Sequence, residues 1–111
     1  MLMKHYGVDD TIWTNILTTC FHYPEVSKVI LYGSRSREDF KENSDIDIAI
    51  DAPNMSSQQF SMLWNALDDL PIIYSLDIVH LQRLSNTVLL ETIKTEGLEL
   101  GRTLIKSKGF D

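Results

Sequence analysis

The apolar positions of this chain change period several times, and each change marks an element. Ile12, Trp13, Ile16, Leu17, Cys20 and Phe21 recur at helical spacing. Asp9 or Asp10 is placed to cap that helix and Pro24 to close it. Val29 to Tyr32 is a short apolar run ending at Gly33, which predicts a buried strand. Gly33 to Ser44 is polar and predicts a turn and a short helix. From Asp45 to Asp51 the period becomes two: Asp45, Asp47, Ala49 and Asp51 share one face, and Ile46, Ile48 and Ile50 share the other. After a turn at Pro53 and Asn54, Ser56 or Ser57 caps a second long helix. Phe60, Leu63, Trp64 and Leu67 fall at i, i+3, i+4 and i+7 along it. Pro71 ends that helix, and Ile72 to Leu81 predicts a third strand. Ser85 or Asn86 caps a last helix with Leu89, Leu90 and Ile93, and Gly97 stops it. The tail from about 103 is expected to be extended or frayed.

The order is α-β-α-β-α-β-α, with no repeat and no linker. It predicts a single α/β (α+β) domain over 1–111, one small sheet with helices packed on it. The segment between the first two strands is too short for a crossover built on a full helix, so a mixed sheet is favoured over a parallel one.

Composition narrows the function. The chain has 111 residues and a net charge of −6, which argues against a general DNA- or RNA-binding surface but leaves a nucleotide open as ligand. Neither a membrane span nor the apolar stretch of a signal peptide is visible, so a cytoplasmic location is the default expectation. Cys20 is a lone cysteine on an apolar helix side and reads as a small buried hydrophobe. His5, His22 and His80 pair with no nucleophile, and His80 reads as structural. Trp13 and Trp64 read as core or interface residues.

The candidate chemistry lies in the acids. Asp45 and Asp47, two apart on a strand, project to the same side and repel each other. Such a pair suits a hard divalent cation held through oxygen, Mg²⁺ first, and two such ions assist phosphoryl displacement. Asp77, between Leu76 and Ile78, is the candidate third carboxylate, because an acid in an apolar run is costly unless paired or ligated. Asp51, before Ala52-Pro53, reads as a turn former. Gly33-Ser34 ends the first strand, where glycine permits a sharp turn and a helix beginning at Ser34 would present free amides to an anion. Arg35 and Arg37 add positive charge beside it, with bidentate geometry suited to phosphate oxygens.

Taken together, Gly-Ser, ten residues, then Asp-x-Asp is a specific spacing. GSRSREDFKENSDIDIAI resembles the signature of the nucleotidyltransferase fold shared with DNA polymerase beta. The likeness is nearest to the minimal nucleotidyltransferases, the MNT proteins, including MntA-type antitoxins. It runs from the helix before LYGSR through LDIVHL to IKTEGLELGR.

The resemblance implies transfer of a nucleoside monophosphate from an NTP with release of pyrophosphate. It implies that Asp45, Asp47 and Asp77 hold two Mg²⁺ ions, with Asp77 nearest the attacking hydroxyl. Gly33 and Ser34 would hold the β- and γ-phosphates of ATP, helped by Arg35 and Arg37. One position departs from the pattern: many relatives carry glycine where this chain has Glu38, and Glu38 or Asp39 is placed to occupy Arg37. The larger relatives append an acceptor-binding helical domain, and nothing after Ile93 is expected to form one. The resemblance therefore implies a partner chain: a HEPN-family ribonuclease toxin, adenylylated on a tyrosine, with this chain as antitoxin of a type VII pair. Two alternatives remain open at this stage. One is transfer to a small molecule beside a helical subunit. The other is a non-catalytic module that neutralises its partner by contact.

Overall fold

The computed structural model describes residues 4–101. The expectation for the tail from about 103 falls outside them. The chain runs β1 (Lys4–His5), β2 (Val8–Asp9), α1 (Asp10–Phe21), β3 (Lys28–Tyr32), α2 (Ser34–Arg37), β4 (Ile46–Asp51), α3 (Ser57–Asp68), β5 (Leu76–His80), a 3₁₀ turn (Leu81–Arg83), α4 (Thr87–Glu96) and β6 (Leu98–Glu99).

The main sheet has the order β5-β4-β3-β6. Strand β4 is antiparallel to β3 and parallel to β5, and β6 is antiparallel to β3. The sheet is mixed, as the short segment after β3 predicted. Strand β5 is shorter than the predicted 72–81. Asp45 lies just before β4 rather than in it.

The alternation in β4 decides the layering. Ile46, Ile48 and Ile50 are fully buried in the main core. That core joins Trp13, Ile16, Leu17 and Cys20 of α1 to Leu63 and Leu67 of α3. Burying one such aliphatic side chain is worth roughly 1.5–3 kcal/mol. Three isoleucines therefore fix which face of β4 turns inward, and they turn its acids outward. The other face is only partly covered: Ile93 of α4 packs on Tyr32 and Ala49, with Ile30 and Val79 alongside. The sheet end carrying Asp47 lies in the same row as Tyr32, at the edge of this small cluster.

The helix starts follow local chemistry. Ser56 and Gln59 form a reciprocal capping box at α3, and Asn86 caps α4 through Leu89 N–H. Asp9 precedes α1 without a side-chain cap. Gly97 ends α4, but with φ −66° rather than a left-handed turn. Its reason is space: a Cβ there would meet Ile93 O and the Ile30 side chain. Two short elements carry no signal in the hydrophobic pattern. The β1–β2 hairpin turns on Tyr6 and Gly7, both with positive φ. Strand β6 adds a short edge beside β3. Trp64 is 40% exposed, so the apolar stripe of α3 is wider than its buried face.

Candidate active site

The candidate site is the end of the sheet where β3 stops and β4 and β5 begin. Tyr32 pairs with Asp47 across β3 and β4, and Asp47 pairs with Asp77 across β4 and β5. Paired residues on neighbouring strands face the same way. The result is a row of one phenol and two carboxylates on the face opposite the main core. Asp45 precedes β4 on the same side and is exposed.

Asp47 is the enclosed member of the acid group. Burial, then the charge of Asp77, then that of Asp45 push its carboxyl up to about 6, while Arg35 and Arg37 pull more weakly the other way. Tyr32 is pushed up to about 12 by burial and by the charges of Asp77 and Asp47. Asp77 is exposed, which corrects the premise that its apolar neighbours bury it. Strand alternation sends Ile78 inward and leaves the acid on the open face.

Gly33 closes the site on the β3 side. Its φ of 82° and ψ of −155° lie in a region that essentially only glycine occupies. A Cβ at this position would land on Asp47 Oδ2. The turn therefore needs glycine twice, once for its backbone and once for the carboxylate against it. Ser34 begins α2, a single turn held by Arg37 N–H donating to Gly33 O at 3.2 Å.

Both arginines lie near enough to Asp47 to pull its carboxyl pKa down, but their guanidinium groups are held by partners within the chain. Arg35 is 1% exposed. Its Nε and Nη2 donate to Ser44 O at 3.2 and 2.8 Å, its Nη1 to Tyr6 O at 2.9 Å, and Nη2 also to Glu42 O at 3.4 Å. The rings of Phe40 and Tyr74 stack on it, 4.9 and 4.8 Å from ring centre to guanidinium carbon. A guanidinium committed in this way has little left for a phosphate. Arg37 is exposed and ion-paired to Asp39 Oδ2 at 3.1 Å and Glu96 Oε1 at 3.0 Å. Asp39 occupies it, as its proximity in sequence suggested. Glu96, 59 residues away, gave no local signal.

Glu38 is explained by backbone. It caps α2 in the left-handed conformation, φ 65° and ψ 25°. Glycine would take that conformation at no steric cost. Asp51 lies at the far end of β4 and accepts from Gln82 Nε2. His80 is buried, stacks on Phe60 and contacts Ala52 O at 2.9 Å, so it is structural as expected. Cys20 is buried in the main core.

The donor set fits a magnesium ion. Among the described residues no group of three His, Cys, Asp or Glu side chains closes on a common point. Mg²⁺ does not require such a cage, because it is usually held by one or two carboxylates with waters and substrate phosphates completing six oxygens. Asp47 with a carboxylate on either side offers that set.

Comparison with known proteins gives a consistent picture. The family model described as "Polymerase beta, Nucleotidyltransferase" matches residues 14–103. No curated protein matches the chain. A chain of a toxin–antitoxin complex crystallised with AMP-PNP is 26% identical, with 85% of this chain and 82% of that one covered and a TM-score of 0.56. A nucleotidyltransferase-like protein from Sulfolobus solfataricus is 19% identical over 92% and 85%, with a TM-score of 0.56. A chain from the complex of tri-AMPylated Shewanella oneidensis HEPN toxin with MNT antitoxin is 23% identical over 88% and 82%, with a TM-score of 0.52. Among the described residues no helix is long and apolar enough to cross a membrane.

Proposed function

Because this chain belongs to the polymerase beta nucleotidyltransferase family, we propose that it moves AMP from ATP to a hydroxyl of a partner protein, a tyrosine of a HEPN-family toxin. The observation that carries this reading is the register of Asp47 against Asp77, with Gly33 pressed on the Asp47 carboxylate. Acids crowded this way disfavour the empty state and favour a bound cation. The presence of AMP-PNP in one related complex, and of an AMPylated toxin in another, supports the choice of donor and acceptor. The net charge of −6 suits docking on a basic, RNA-cleaving partner.

In this reading Asp45 and Asp47 hold two Mg²⁺ ions and Asp77 completes the set on the acceptor side. Bound Mg²⁺ supplies charge neutralisation on the triphosphate and acidifies the attacking hydroxyl. Gly33 leaves room for the β- and γ-phosphates to approach the backbone, and the Ser34 amide and hydroxyl donate to them. The acceptor oxygen bonds to the α-phosphorus as the bond from that phosphorus to the pyrophosphate oxygen breaks. The hydroxyl proton passes to Asp77, and pyrophosphate leaves. The chain's share of catalysis is positioning and charge, as phosphoryl transfer requires.

The test is to combine the protein, Mg²⁺, ATP labelled on the α-phosphate and the product of the neighbouring gene. Label on a tyrosine of that protein is expected. Label only on small molecules, or none, contradicts the proposal.

A further inference from the structure

The proposed metal site has a weak point that the strand does not hold. Asp45 lies outside the β4 ladder, on the loop that follows α2, and its side chain is exposed. Its backbone is nevertheless fixed on both sides. On one side Ile46 N–H donates to Ser75 O at 2.9 Å. On the other, the carbonyl of Ser44 takes two N–H groups of Arg35. That carbonyl belongs to the planar peptide unit whose nitrogen is Asp45's own, so gripping it sets the direction in which Asp45 leaves the loop.

A buried guanidinium is an expensive way to fill space. Among the described residues Arg35 forms no ion pair; its N–H groups and guanidinium faces are taken by three carbonyls and two aromatic rings, and its charge reaches Asp47 only as a weak pull. An apolar side chain would pack there at less cost. What Arg35 alone supplies is a rigid fork that ties the β1–β2 hairpin tip at Tyr6 to the loop at Glu42 and Ser44. We propose that Arg35 is a positioning residue for the cation site: it holds the Ser44–Asp45 peptide so that the Asp45 carboxylate stands beside Asp47, rather than contacting the nucleotide itself. This inference rests on the metal-site reading of Asp45 and Asp47.

Groups that orient metal ligands from behind change metal affinity by about 10- to 100-fold when altered. Arg35→Lys keeps the charge but replaces the three spaced nitrogens of the fork with a single ammonium nitrogen, which cannot hold Ser44 twice and reach Tyr6. Ser44→Ala loosens the same loop differently, by removing the hydroxyl that accepts from Lys41 N–H at 2.8 Å.

The experiment titrates each protein with Mn²⁺ alone, following free Mn²⁺ by electron paramagnetic resonance, and checks folding by melting. It then measures the KM for ATP at saturating Mg²⁺. Arg35→Lys is expected to weaken Mn²⁺ binding about tenfold, Ser44→Ala by less, with the KM for ATP unchanged once Mg²⁺ saturates. If Arg35→Lys does not fold, Ser44→Ala decides alone. Folded variants with wild-type Mn²⁺ affinity overturn the inference, whatever their melting temperature. A raised KM for ATP with unchanged Mn²⁺ binding overturns it in favour of a direct phosphate contact. Wild-type protein that takes up no Mn²⁺ overturns the metal-site reading itself and this inference with it. The two failures are thus told apart.

Discussion

Asp47 and Asp77 face each other in register on adjacent parallel strands, β4 and β5. Two carboxylates at neighbouring sheet positions are unfavourable without a counter-charge. Burial is the first cause of the raised Asp47 pKa, and the charge of Asp77 is the second. Asp77→Asn removes that second cause. The Asp47 carboxyl is then expected to titrate below its value of about 6. Carboxyl NMR titration of metal-free protein reads this directly. An unchanged Asp47 titration contradicts the electrostatic coupling of the pair.

Gly33 is expected to tolerate no side chain. Gly33→Ala places a Cβ in a backbone region that costs on the order of 1–3 kcal/mol, and that Cβ meets Asp47 Oδ2. Denaturant unfolding is expected to show at least that loss. Unfolding at the wild-type midpoint contradicts the described turn.

Glu38 offers the opposite case. Its left-handed φ of 65° costs an L-residue roughly 1–2 kcal/mol. Glycine escapes that cost but loses more chain entropy on folding. Glu38→Gly is expected to stabilise the protein by about 0.5–1 kcal/mol, the remainder after that offset. A lower denaturation midpoint in the variant contradicts the cap geometry.

Cys20 gives the protein an alkaline weakness. Burial pushes its thiol from 9.0 up to about 12. Above pH 9 the unfolded chain loses this proton while the folded chain keeps it. The unfolded state then binds fewer protons, and stability falls as pH rises from 9 towards 12. The slope is up to about 1.4 kcal/mol per pH unit from this group. Cys20→Ala is expected to flatten that decline between pH 9 and 11 in denaturant melts, whatever its effect at neutral pH. Equal slopes contradict it.

Much of this architecture is legible in the sequence because period is a direct image of packing. Ile46, Ile48 and Ile50 could serve only one face, so Asp47 had to take the other. The short segment after Gly33 forced β4 to run antiparallel to β3. The caps at Ser56 and Asn86 were readable from side-chain chemistry. What stayed hidden depends on backbone atoms and distant partners. The β1–β2 hairpin turns on Tyr6-Gly7, without the Asn-Gly or Asp-Gly that usually marks such a turn. The partners of Arg35 are backbone carbonyls, which no residue type announces. Gly97 looked like a left-handed stop but is needed for contact with Ile30. In each case the residue type was suggestive, and the geometry decided its use.

The central claim is that Asp47 is the pivot of a cation-dependent transfer site. The most direct measurement compares wild type with Asp47→Asn for Mg²⁺-dependent transfer of α-labelled AMP to the partner protein, after both are shown to melt cooperatively. The variant is expected to lose about 100- to 1,000-fold in rate, the scale of removing one preorganised electrostatic contact. A folded Asp47→Asn variant that transfers label at the wild-type rate contradicts the account.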